Sequence, residues 1–526
     1  MTAATEEHAL EGQRERGRLV GRAGVVGAGT LASRLLGLLR DVALAAVFDR
    51  DATDAWWVAF TIPNALRSLL GEGAVTSAVV PVLSEKIAKD GDEAARRFFA
   101  RVRGVSLLAL VVVTALGVVF AGPLTSLFAG GYRGRPGEFE RTVALTRLVF
   151  PYILFMGTAA LGMAALNANR RFAVAAFAPG LLNVAMLVAA GVAVVGWRGE
   201  GGVAVLAYGA LVGGMLQVVA QWPALKRIGY ARPPSFALDD DVRKVLRRIA
   251  PLTLGIGIYY VDLVLSRRFL SEMGPGAQSY FSWAMRLCDF PQGIFVMALS
   301  TAALPSLSAL AAKGARDELA KTWGHGMALA MFVAVPASVA LVVMGEPIVA
   351  ALFQRGHFDA VAARETARAL AWQGGAIWTV AAVRQTVPAF YALGETRIPV
   401  VVSGIDLCAF VALALALRAP MGHVGISVAV AGSSAVQMLL LLVALRWRFG
   451  RFGAAALARS VARTAAVSAV AGVAGWGGAK VAGGIAGLAA FGGVFLLAAW
   501  GLGAPELEEI LGAVGRRLGG RRRQAR

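Results

Sequence analysis

Ala298–Ser308 reads ALSTAALPSLS, and Ala74–Ser84 reads AVTSAVVPVLS. The two align without a gap, and Pro305 falls 224 positions after Pro81. The same offset carries Pro123, within AGPLTSLF, onto Pro347, within GEPIVAALF. Upstream, Asp41, Leu44 and Phe48 match Asp262, Leu265 and Phe269 at an offset of 221, as expected if one loop changed length. Ala, Leu and Val are common in this chain, so one match alone carries little. Several ordered matches at nearly one offset point to two homologous halves.

Composition fixes the class. Hydrophobic residues make up 57% of the 526 and charged residues 16%, against ~25% charged in soluble domains. The 63 glycines are spread through the apolar runs, as in membrane helices, where small residues let neighbours pack closely. Gly209 and Gly213 show one such spacing. A soluble chain with a very large core would need polar faces that these segments lack. With about twenty apolar residues needed per span, spans are expected near 20–48, 54–85, 104–128, 142–167, 174–197, 202–225, 249–270, 279–310, 326–352, 366–392, 397–418, 423–446, 457–478 and 482–502. The expected fold is an all-α polytopic membrane protein of about fourteen helices. It comprises a cytoplasmic segment 1–19, a lobe 20–225, a basic loop 226–248 and a second lobe 249–446. Two extra spans (457–502) and a basic tail 503–526 lie outside the repeat.

The net charge of +20, from 52 Lys+Arg and 32 Asp+Glu, would suggest nucleic acid in a soluble protein. Its distribution excludes that partner. Basic residues gather in alternate loops, such as Lys86–Arg103, Lys226–Arg248 and Arg446–Arg463, while Asp49–Thr53 and Ser271–Gln278 are poorer in them. The positive-inside rule places the rich loops and both termini in the cytoplasm, which requires an even number of spans. Residues 1–19 lack the apolar stretch of a secretory signal, so the first span is expected to be retained. Cys288 and Cys408 offer no disulfide framework, and the four histidines show no metal-ligand spacing. The carboxylate run Asp239–Asp241 reads as a solvated loop, and Gly24, Gly27 and Gly29 follow no strand and so form no nucleotide fingerprint.

Six spans separate the two repeats, so both start on the same side. Parallel repeats of this kind are expected to hold substrate where the halves meet. Arg34, Arg40, Arg67 and Arg286 all lie inside apolar runs. A charge in hydrocarbon costs at least ~2.5–3.5 kcal/mol and marks a substrate or ion path; positive sign implies an anionic cargo. Asp41, Asp54, Glu72 and Asp289 accompany the arginines. Arg286 and Asp289 share a helix face, and Gly71, Gly73, Pro63, Pro291 and Gly293 let the neighbouring helices loosen. The planar guanidinium suits bidentate phosphate recognition. The alternative for each arginine is snorkelling to an interface or pairing with a nearby carboxylate. Asp262 and Asp406, also within spans, bind a cation, stay protonated, or hydrogen-bond a neighbouring helix.

At these residues the chain resembles a known family. SRLLGLLRD (Ser33–Asp41), TDAWWVAFTIPNALRSLLGEGAVTSAVVPVLSE (Thr53–Glu85), MRLCDFPQGIF (Met285–Phe295), LFQRGHFD (Leu352–Asp359) and VPAFYALGETRIPV (Val387–Val400) are similar to the MurJ (MviN) lipid II flippases of bacteria. The resemblance runs from about residue 20 to 450. It implies fourteen helices in two lobes around a central cavity and a substrate set of Arg34, Arg40, Asp41, Asp54, Arg67, Glu72, Arg286 and Asp289. The last is often Glu in the family, so its reach is shorter here. The implied activity moves undecaprenyl-pyrophosphoryl-linked disaccharide-pentapeptide from the cytoplasmic to the periplasmic leaflet of the bacterial inner membrane, with no enzymatic step. The implied role of the last two spans is to form a groove for the lipid tail. The family also has sodium sites, for which Asp262 and Asp406 are the candidates; Na⁺, H⁺ and the membrane potential all stay open as energy sources. Membrane lipids and cell-wall synthesis machinery are the further candidate partners. The rivals are a flippase for another undecaprenyl-linked oligosaccharide and a multidrug exporter of the same superfamily, although cationic drugs favour an acidic cavity.

Overall fold

The computed structural model describes residues 27–67, 74–196, 202–449 and 454–512, which form helices and their connections with no strand among them. The chain divides into two compact units, Met1–Pro275 and Gly276–Arg526. Among the described residues, eight helices are long and apolar enough to cross a membrane. The chain is a multi-pass membrane protein.

The first unit holds α1 (27–47), α2 (Arg50–Arg67), α3 (Ala74–Lys89), α4 (Gly91–Val119) and α5 (Ala121–Ala129). A 3₁₀ turn, Gly130–Gly134, leads to α6 (Glu138–Val149), α7 (Tyr152–Ala168), α8 (Phe172–Phe177), α9 (Gly180–Gly196), α10 (Gly202–Arg227) and α11 (Asp240–Ser271). The second unit holds α12 (Ala277–Pro291), a π turn Gln292–Val296, α13 (Met297–Ala312), α14 (Arg316–Val343), α15 (Gly345–Phe353), α16 (Ala360–Gly375), α17 (Ile377–Ala392), α18 (Arg397–Met421), α19 (His423–Phe449), α20 (Ala454–Gly501) and α21 (505–512).

The helix breaks keep the period of the sequence repeat. Phe120 ends α4 with φ −91° and ψ 17°, and Met344, 224 positions on, ends α14 with φ −116° and ψ 19°. A proline two residues into the next helix (Pro123, Pro347) lacks the N–H that continuation would need. The turn after α7 carries Arg170 at φ 59°, and 224 positions later Gly394 takes φ 76° after α17. Glycine adopts that geometry freely, whereas arginine does so under strain.

Residues 226–248 were expected to form a basic loop and 249–270 to begin the second lobe. In the structure the connection is shorter, the helix starting at Asp240, and that helix lies in the first compact unit. Residues 228–239 run as a strap over α3 and α4. Tyr230 is buried with Phe98, Val102, Val242 and Val245, its ring 5.4 Å from that of Phe99. Arg232 binds Glu93 through two 2.7 Å hydrogen bonds, and the Ser235 amide donates to the Ala100 carbonyl at 3.0 Å. Of the carboxylates Asp239–Asp241, Asp240 is exposed, as a solvated loop would have it, but the other two are engaged. Asp239 caps α11 by accepting from the Val242 amide at 2.9 Å and pairs with Arg101, and Asp241 pairs with Lys86 at 2.7 Å. Capping and ion pairing satisfy the orphan amides of the helix start and neutralise the cluster. Helix α11 thus begins eight or nine residues before its apolar run and packs on α3, α5 and the 3₁₀ turn, within the first unit.

The last two expected spans are the two arms of α20, which breaks at Ala482 and Gly483, where Gly483 has φ 84°. Its arms fold back on each other at small residues: a Cβ on Gly487 would stand 2.7 Å from that of Ala479, and one on Gly478 would stand 3.1 Å from that of Ala490. Both α14 and α15 pack on α20. Residues 505–512 of the expected tail form a helix. Helix α21 returns to the start of α20, where Glu506 accepts from Ser460 Oγ at 2.6 Å and pairs with Arg463, and Glu509 lies 2.9 Å from His325 of α14.

Candidate functional site

The arginines picked from the sequence divide between a buried one, Arg40, and three half-buried ones, Arg34, Arg67 and Arg286. On α1, Leu31, Leu35 and Leu39 form an exposed stripe, and Arg40, Asp41, Leu44 and Ala45 face inward. Arg40 is 7% exposed and Asp41 fully buried. The Arg40 guanidinium donates to Asp41 Oδ1 at 2.6 and 2.9 Å and to Asn183 Oδ1 of α9 at 2.9 Å. Asn183 in turn donates to the Ser33 carbonyl at 2.9 Å. These bonds pin α1 to α9 and direct Arg40 into the first unit. Arg34 lies elsewhere on α1 and is half-buried.

Helix α2 is buried along most of its length, from Thr53 to Ala59 without interruption. Only Phe60, Asn64, Leu66 and Arg67 open partly toward its end. Phe60, Asn64 and Arg67 are spaced four and three residues apart, one helical stripe. Arg67 Nε donates to Asn64 Oδ1 at 2.9 Å, and Phe60 stacks on Trp56 with ring centroids 5.0 Å apart. Asp54 is fully buried. Glu72 lies outside the described residues.

In the second unit, α12 buries Ala277–Ala284, Leu287 and Cys288. Arg286 and Asp289 sit instead on its half-open stripe with Met285 and Phe290. The π turn that follows widens the helix at Gln292–Val296, a distortion common at functional sites. Arg34, Arg67 and Arg286 therefore share a property that Arg40 lacks: each stands on a face its own unit leaves partly uncovered.

Asp262 belongs to the first unit and is half-buried on α11; Asp406 belongs to the second and is half-buried on α18. Among the described residues no three His, Cys, Asp or Glu side chains gather as a metal site.

Two features escaped the sequence reading. Asn183 was the signal for the α1–α9 joint, a lone amide in the apolar run LLNVAML, whose partner lies 143 positions away. The second is a buried cluster in the first unit. Tyr132, on the 3₁₀ turn, is fully buried and lies within electrostatic range of Asp54, Glu138, Arg135 and Arg267. Burial holds its phenol well above the ordinary range. Glu138 accepts from Arg135 at 3.4 Å, and Ser271 Oγ accepts from the Gly131 amide at 3.1 Å.

Comparison with known proteins places this arrangement. The family described as lipid II flippase MurJ matches residues 44–491. A probable lipid II flippase MurJ of Bdellovibrio bacteriovorus is 33% identical over 446 residues, covering 84% of each chain. The lipid II flippase MurJ of Burkholderia cenocepacia is 33% identical over 426 residues, covering 80% of this chain and 82% of its own. Among solved structures, a lipid II flippase MurJ in an inward closed conformation superposes with TM-score 0.75 at 20% identity, over 90% of this chain and 97% of its own. An inward-facing multidrug resistance transporter of the MATE family gives 0.67 at 16% identity, over 81% and 96%. The fold is that of a multi-pass membrane transporter built from an internal repeat. Within that class, the chain belongs to the MurJ family of lipid II flippases.

Proposed function

We propose that this protein moves lipid II, an undecaprenyl-diphosphate-linked disaccharide-pentapeptide, from the cytoplasmic to the periplasmic leaflet of a bacterial inner membrane by alternating access. Both termini would lie in the cytoplasm, as the basic loops require. The supporting observation is the placement of Arg34, Arg67 and Arg286 on half-open helix faces. A diphosphate cannot cross hydrocarbon unaided; guanidinium groups held near apolar surroundings stay charged and bind it through paired N–H donors. Arg40 and Asp41 act differently in this scheme, as the pair that holds α1 in place.

Likeness to the MATE transporter supports only the shared fold. A cationic drug would call for carboxylates where this chain carries arginines, so export of drugs is the weaker reading. Another undecaprenyl-linked oligosaccharide would suit the same arginines, and family membership favours lipid II over it. The test is complementation of a strain depleted of its own flippase, scored by lipid II access at the cell surface. Arg34→Ala and Arg286→Ala should each abolish rescue at normal membrane levels, and Arg→Lys should rescue only in part because Lys loses the fork. Full rescue by a stably expressed Arg34→Ala would sink the cargo-binding role.

A further inference from the structure

Within the strap, Ser235 and Asp239 are both fastened to α4. The first bonds the Ala100 carbonyl and packs where Gly104 leaves no room for a Cβ, and the second pairs with Arg101. Between these two anchors, Phe236, Ala237 and Leu238 all project outward. Phe236 is 61% and Leu238 48% exposed. Two large apolar side chains held out on a loop pinned at both ends need a covering surface.

The surroundings say which. The exposed stripe of α4, Leu108, Val112, Leu116 and Val119, starts one turn beyond Gly104. In a membrane protein that stripe faces acyl chains, and one turn is about 5–6 Å along the axis. The strap therefore lies at the polar boundary of the leaflet where α4 leaves it. Cations flank it. Arg103 lies 5.9 Å over the exposed ring of Trp222, the aromatic type enriched at membrane interfaces. On α11, exposed Arg243 and Arg247 share a face with Leu246, which is 42% exposed. Of the acidic residues here, Asp239 and Asp241 are engaged by Arg101 and Lys86, and Asp240 approaches Arg243 at 3.4 Å from an exposed position.

We propose that Phe236 and Leu238 insert into the headgroup–acyl boundary of this leaflet, and that Arg103, Arg243 and Arg247 hold anionic lipid phosphates around them. Apolar insertion combined with attraction to anionic headgroups is how interfacial segments bind a surface. The strap would then fix the depth of α4 and α11 in the bilayer, independently of what the transporter carries.

The experiment places an environment-sensitive fluorophore at Phe236→Cys in the full-length protein carrying Cys288→Ala and Cys408→Ser, in nanodiscs of phosphatidylcholine with or without phosphatidylglycerol. A parallel probe at Leu238→Cys covers the case where the first variant folds poorly. Emission should shift to the blue, and lipids with a shallow spin label should quench it about twofold, the response of a side chain at the headgroup boundary. A control probe at Asp240→Cys should stay water-like. Phosphatidylglycerol should raise the unfolding temperature of the parent protein, and the Arg243→Gln/Arg247→Gln double variant should lose most of that rise. Water-like, unquenched emission at both 236 and 238 overturns the insertion. An equal rise with soluble glycerol phosphate, or none with phosphatidylglycerol, overturns the anionic-lipid contacts.

Discussion

Arg40 and Asp41 are neighbours in sequence that neutralise each other in a nearly dry site, with Asn183 completing the set. Removing one member of such a pair strands a buried charge and costs ~3–5 kcal/mol, whereas replacing both by apolar side chains of similar volume is far milder. Arg40→Ala or Asp41→Ala should therefore lower the thermal unfolding temperature in detergent sharply, and Arg40→Met combined with Asp41→Leu should recover much of the loss. If the single changes leave stability untouched while abolishing rescue, the pair contacts cargo instead. Arg170 offers an opposite case. Its φ of 59° costs ~1–2 kcal/mol for a residue with a Cβ, and glycine would give back ~0.5–1 kcal/mol through the freer unfolded chain. Arg170→Gly should thus stabilise the protein by about 0.5–1 kcal/mol net, read as a higher unfolding temperature. The sequence announced the charges, because arginine in an apolar run is conspicuous. It could not announce which ones are satisfied within the unit, since that depends on an asparagine 143 positions away.

At the scale of elements, the interruptions of the helices carry the repeat more faithfully than their side chains do. The α4–α5 break at Phe120 recurs at Met344; the prolines Pro123 and Pro347 marked the repeat, but the expected spans 104–128 and 326–352 ran through both breaks. The strap was not legible, because its anchors are a main-chain hydrogen bond and ion pairs to α4, and the sequence marked the stretch only as basic. Gly104→Val should push Ser235 off α4 and open Phe236 to chymotrypsin, whereas the same change at Gly122, where a Cβ meets open space, should not. Alkali should also loosen the strap. The hydrogen bond that Lys86 donates to the Asp241 carboxylate raises the Lys86 pKa above its ordinary 10.5, and burial raises that of the Tyr230 phenol above 10.0. A pKa raised by folding stabilises below the unfolded value and is lost as pH climbs through the folded one. Cleavage after Phe236 should therefore accelerate above about pH 10 and stay flat between pH 7 and 9; acceleration in the neutral range would argue against this clasp.

For the molecule as a whole, the two-part architecture and its family were readable from the repeat and the motifs, but the place where the parts divide was not. The repeat counts residues from an ancestral start, and packing follows contacts. A sodium role for Asp262 and Asp406 can be tested on the intact protein: bound Na⁺ should raise the unfolding temperature over matched K⁺ by mass action, and Asp262→Asn should remove the gain. An equal response to both ions leaves these carboxylates structural or proton-linked. The division at Pro275 and Gly276 has a consequence for taking the gene apart. Helix α11 descends from the second half and lodges with the first, holding Val242 and Val245 in the core beside Tyr230. Encoded as separate polypeptides, 1–275 and 276–526 should each accumulate in membranes, because each keeps the packing within its own unit. A break before α11, between 239 and 240, follows the ancestral seam and bares the flank of α3, and its 1–239 fragment should be degraded.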